Sequence, residues 1–115
     1  MAILVKTNQL VGPSATGDLA TTDPGFQPKA LVVFSGLQTA NGGSANAHWS
    51  LGFGASTTTE QSAGFNALDA GAASDNVRVF RTDRILTNFN PGTITTNNAA
   101  TLKAIGAAGF TLEWT

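Results

Sequence analysis

Apolar residues come in short runs along this chain, and Gly, Asn, Asp, Pro and Thr interrupt them. That spacing predicts strands joined by tight turns. Phe110-Thr111-Leu112-Glu113-Trp114-Thr115 is the clearest case, with Phe110, Leu112 and Trp114 on one face and polar residues on the other. Period two with a polar opposite face means a half-buried strand. His48 to Ala55 alternates in the same way: Trp49, Leu51, Phe53 and Ala55 oppose His48, Ser50, Gly52 and Gly54. The Gly and Ser face leaves room for another backbone to approach closely. Ala30-Leu31-Val32-Val33-Phe34 is continuously apolar, with Pro28 just before it. It reads as a strand that is covered on both faces or central in its sheet.

Weaker segments complete the pattern. Ile3 to Val5 and Leu10-Val11 predict one or two short N-terminal strands. In Asn76 to Thr87, Val77 and Val79 share a face, and then Phe80 and Ile85-Leu86 break the phase. Such a break predicts a bulge or turn at Arg81-Thr82-Asp83. Asp23-Pro24-Gly25 and Asn90-Pro91-Gly92 are turn sequences, with Pro fixing φ and Gly free to take positive φ. Asn41-Gly42-Gly43 is a loop signal. Gly106 to Gly109 would join Leu102–Ile105 to Phe110–Trp114 as a hairpin. Asn97 to Ile105 reads as a strand from its β flanks. A short helix is the alternative, capped by Asn98, stopped by Gly106, and with Leu102 and Ile105 spaced for one helical face. Together these elements predict an all-β chain: a single-domain β-sandwich over residues 1–115, jelly-roll-like, of about seven or eight short antiparallel strands.

Composition narrows the function classes. The chain has 115 residues, of which 11% are charged, with a formal net charge of -1. More than half of it is Gly, Ala, Thr, Asn or Ser. With 42% hydrophobic residues it is a folding sequence, unlike a disordered tail of high net charge. Six Lys and Arg against seven Asp and Glu make no basic face for nucleic acid. No apolar run is long enough for a membrane helix, and Met1 to Lys6 lacks the regions of a Sec signal. Cysteine is absent, so no disulfide, thiol nucleophile or Cys-ligated zinc is available.

Candidate chemistry is sparse. The single histidine, His48, has no Ser elbow or orienting acid framed around it in sequence. Asp69 to Asp75 is the densest stretch of oxygen ligands, but it has too few for a Ca²⁺ loop. Arg78, Arg81 and Arg84 are half of all the Lys and Arg residues. In a regular strand Arg78 and Arg84 share a face and Arg81 takes the other. Asp75 and Asp83 are close enough in sequence to pair with them. Arg78, Arg81, Arg84 and His48 are therefore the candidate partner contacts. Catalytic, cofactor and metal residues are expected to be none. Trp49 and Trp114 lie on patterned apolar faces and read as core, as do Phe34, Phe53, Phe65, Phe80 and Phe110. An exposed Trp49 would instead suit a sugar-binding platform.

Gly25-Phe26-Gln27-Pro28-Lys29-Ala30-Leu31-Val32-Val33-Phe34 resembles the "G-F-x-P-K-A-hydrophobic" strand of small β-sandwich structural proteins from tailed bacteriophages and prophages. Gln38-Thr39-Ala40-Asn41-Gly42, Leu51-Gly52-Phe53-Gly54, Ala72-Ala73-Ser74-Asp75 and Gly109 to Thr115 follow in matching order. The resemblance covers roughly Gly25 to Thr115. It implies a non-enzymatic virion protein of the tail, fibre or capsid-decoration type, located in the virion. It also implies assembly with itself as a homo-oligomer and with other virion proteins. A carbohydrate-binding module of a host-adhesion fibre, with a glycan as ligand, is the alternative. Sequences of this pattern continue past the "F-T-L-x-W-T" strand, so the resemblance further implies a shorter relative or a last strand supplied by another chain.

Overall fold

The structure, a computed structural model, describes residues 3–12, 15–36, 47–67, 76–89 and 96–115. They form eight strands: β1 (Gly17–Thr21), β2 (Leu31–Ser35), β3 (Ala47–Ser56), β4 (Thr59–Ala67), β5 (Asn76–Arg81), β6 (Leu86–Phe89), β7 (Thr96–Ile105) and β8 (Phe110–Trp114). One antiparallel sheet runs β1-β8-β7-β6, and the other is a meander, β2-β3-β4-β5. The two pack face to face as the predicted all-β sandwich.

The turn chemistry acts as expected where it is described. Gly25 takes φ 71°. Its N–H donates to Thr22 O at 3.0 Å, closing the Asp23-Pro24 turn. Gly106 and Gly109 close the β7–β8 hairpin through Gly106 N to Gly109 O at 2.8 Å. The phase break after Phe80 is the exit from β5: residues 82–85 carry the chain across to the other sheet. Asn41-Gly42-Gly43, Asp69 to Asp75 and Asn90-Pro91-Gly92 lie outside the described residues.

Asn97 to Ile105 is a strand, with a bulge that explains its helical spacing. Leu102 pairs with Leu112 and Ala104 with Thr111, so Lys103 is an extra residue. The extra residue brings Leu102 and Ile105, three apart, to the same inward face. The bulge frees the Leu102 N–H, which donates to Glu60 Oε2 on β4 at 2.8 Å.

Two expectations are corrected. Ile3 to Val5 and Leu10-Val11 form no strand; residues 3–12 are irregular and largely exposed, and Gly12 lies beside the Trp114 ring, which an added Cβ would touch. β2 is neither central nor covered on both faces. It is an edge strand with Leu31 and Val33 against the core and Val32 and Phe34 open to solvent. β8 lies between β1 and β7, with both of its edges paired.

The apolar core is compact: Ile85, Leu86, Ala100, Leu102 and Leu112 are buried, with Leu31, Val33, Ile105, Phe110 and Trp114 packed around them. Four of those five buried residues come from β6, β7 and β8.

Candidate functional site

β3 and β4 decide which side of their sheet is left open to solvent. On β3 the buried positions are Ser50, Gly52 and Gly54, and on β4 they are Glu60, Ser62, Gly64 and Asn66. The face with small and polar residues is therefore the interior one. The reason is β6, which lies directly across it. A Cβ at Gly52 would overlap the carbonyl oxygen of Ile85, and one at Gly64 would come within 2.7 Å of Thr87 O. Side chains of any size at these positions would push the sheets apart.

β6 is the edge of its sheet, and side chains of the opposite sheet satisfy part of that edge. Thr87 N–H donates to Ser50 Oγ at 3.0 Å. The Ser62 and Thr87 hydroxyls bond at 3.0 Å. Ser35 Oγ donates to Asn88 Oδ1 at 3.0 Å, and Asn88 Nδ2 to Asn98 Oδ1 at 2.8 Å. Buried polar groups are tolerated because they are hydrogen-bonded in this way.

Strand geometry then forces the alternate residues outward. Val32 is 74% exposed, Phe34 71%, Phe80 63%, Leu51 47%, Phe53 44% and Trp49 40%. Register places them in rows across the sheet. Phe34, Leu51, Ala63 and Phe80 form one row. Val32, Phe53 and Gln61 form the next, and Trp49, Phe65 and Arg78 a third. Trp49 and Phe65 stack with ring centroids 6.0 Å apart. The expectation that Trp49, Phe34, Phe53, Phe65 and Phe80 are core is thus corrected: within this chain they lie on an outward apolar face, Phe65 half-buried and the others exposed. Trp114 and Phe110 do pack on the core.

The opposite sheet has a different exterior. Lys103 Nζ donates to both Asp18 carboxylate oxygens, at 2.9 and 2.8 Å, and to Glu113 Oε1 at 3.3 Å. These two carboxylates hold the Lys103 pKa above its ordinary value, the Asp18 bond being the larger cause. Thr101 and Thr111 lie on the same face. One exterior is thus charged and solvated, and the other is apolar and nearly uncharged.

The four predicted contact residues do not form one site. Arg78 is on the apolar face, at edge strand β5. Arg81 ends β5 and Arg84 lies in the crossover, and Asp83 joins them. Arg81 Nε and Nη2 each donate to Asp83 at 2.8 Å, and Arg84 Nη1 reaches Asp83 Oδ2 at 3.3 Å. The Arg81 hydrogen bonds pull the Asp83 carboxyl down to about 2. Arg81, Arg84, Thr87, Thr96, Ala99 and Thr115 line an open cleft of about 300 Å³. Asp83 already neutralises part of its positive charge. His48 shares the inward face of β3 with Ser50, and its Nδ1 is buried with no hydrogen-bond partner among the described residues. No three His, Cys, Asp or Glu side chains among the described residues are grouped to hold a metal ion.

No protein-family model, curated protein or solved structure matches the chain.

Proposed function

We propose that the protein is a non-enzymatic structural protein of a tailed-phage virion, assembling as an oligomer or onto the capsid or tail. The observation that carries this reading is the one-sided exterior. Soluble monomers rarely expose a contiguous apolar patch larger than a few hundred Å², and larger patches mark interaction surfaces. Aromatic enrichment and depletion of charge, as around Phe34, Trp49, Phe53 and Phe80, are properties of interface cores. The resemblance of Gly25 to Thr115 to phage β-sandwich proteins supplies the setting.

The test is localisation. Phage particles induced from the encoding culture should carry the chain by mass spectrometry and immuno-electron microscopy. Head or tail genes beside its own would say which part. Particles without the chain overturn the reading.

A second reading keeps one supporting observation. Trp49 is exposed and stacked on Phe65, as a sugar platform requires. A host-adhesion module would bind on a glycan array and lose that binding in a folded W49A variant.

A further inference from the structure

The outer face of β2-β3-β4-β5 needs an occupant, and its own relief says which. We infer that it is a second copy of this chain, packed sheet on sheet about a two-fold axis that runs along the strands between β3 and β4. This rests on the assembly reading above and names the partner for that face.

Area is the first argument. The exposed fractions of Val32, Phe34, Trp49, Leu51, Phe53 and Phe80 amount to roughly 600 Å² of apolar surface. A stable dimer buries about 800 Å² on each partner. The half-buried Phe65 and Ala63, with Gln61 and Arg78 at the margins, fill most of the difference. One copy of the face is therefore about the size that one copy of the same face can cover.

Relief is the second argument. The central row descends from Phe34 and Leu51 to Ala63 and rises again at Phe80. The axis named above places β3 of one copy over β4 of the other and β2 over β5. Leu51 then meets the dip at Ala63 of the second copy, and Phe34 meets Phe80. In the neighbouring row Phe53 lies over Gln61. At the centre a large side chain thus fills a dip, and in the third row Trp49 lies over Phe65 as Phe34 does over Phe80, so that apolar side chains fill the space between sheets packed about 10 Å apart.

Charge is the third argument. Arg78 is the only charged side chain in these rows, and it sits on edge strand β5. Under the same axis it faces Gly36, just past the end of β2, which has no side chain to oppose the guanidinium. Two copies therefore meet without like charges opposed. A strongly charged partner would find only Arg78 in these rows to pair with.

Sedimentation equilibrium of the full chain, from low micromolar to near-millimolar concentration, should show a dimer. L51E and F34E should raise its dissociation constant by about thirtyfold or more. Both positions are exposed, so far-UV circular dichroism should be unchanged. Because the chain has no cysteine, crosslinking can assign the register. A short bismaleimide should join L51C to A63C, and F34C to F80C, when the two single variants are mixed. A20C, on the exposed edge strand β1 of the other sheet, should not crosslink. A monomer at every concentration, or a dimer that ignores L51E and crosslinks through A20C, overturns the inference. A monomeric chain found in phage particles would defeat the self-pairing alone. A face-to-face dimer absent from those particles would defeat the virion reading alone.

Discussion

Single atoms decide which side of β3 faces the core. A methyl group at position 52 has nowhere to go, because the Ile85 carbonyl occupies that space. G52A should therefore cost about 3 kcal/mol or more, read from the urea midpoint. G36A is the control: among the described residues its Cβ would meet only His48 O, at 3.5 Å, an ordinary contact, so it should be nearly neutral. Ser50 is a hydrogen-bond acceptor in a buried seam. S50A leaves the Thr87 N–H without that partner and should cost about 1–3 kcal/mol. Asp83 gives a pH signature. Its folded-state value lies below the ordinary 3.8, so its stabilising effect is complete above that pH and disappears as pH falls through about 2. D83N should lower Tm slightly at neutral pH, and the difference from the parent chain should vanish at the acid end of that window.

At the scale of elements, β6 and β7 behave against simple expectation, and both exceptions have physical causes. β6 is an edge strand, yet all four of its residues are buried. The edge is protected by side chains of β3 and β4 instead of by another ladder. The Thr87 amide should consequently exchange as slowly as the interior amides of β8, and faster in S50A, by hydrogen exchange. β7 carries an i, i+3 apolar pair that mimics a helix, and the Lys103 bulge is what places both residues inward. L102A should cost about 2–5 kcal/mol in chemical denaturation, as a buried large-to-small change in the small core. The strand at Phe110 to Trp114 was legible because Phe110, Leu112 and Trp114 alternate with polar Thr111 and Glu113, and its apolar face is the inward one. Arg78, Arg81 and Arg84 were legible only as a cluster in sequence. The exit from β5 at Arg81 separates them, and only Arg81 and Arg84 share Asp83.

Across the whole molecule, the two exteriors call for different behaviour. The Asp18–Lys103–Glu113 network keeps one sheet in water. The aromatic rows leave the other sheet with an exposed apolar exterior, the side proposed for contact. Association through a face whose rows hold only one charge should change little between low and high salt, measured by sedimentation, because screening acts on charges. Trp49 also provides an internal reporter. In a W114F variant it is the sole tryptophan. Its emission should shift to the blue with rising concentration as the face becomes covered. An unchanged emission maximum through the dimerisation range would place the contact elsewhere.

Alternation, turn residues and hairpin spacing were enough to determine an all-β chain of about eight strands in one sandwich. They were also enough to show that one face of β3 was small enough for a backbone to approach. Periodicity separates two faces of a strand but does not say which of them is inside. Hydrophobicity alone assigns the aromatic face to the core, and here that assignment is inverted. The tertiary structure decided it, because β6 crosses at backbone distance and only Gly and Ser can lie beneath it. With that contact made, Phe34, Trp49, Leu51 and Phe53 had to point outward, and the apolar side of the strand became an exposed face.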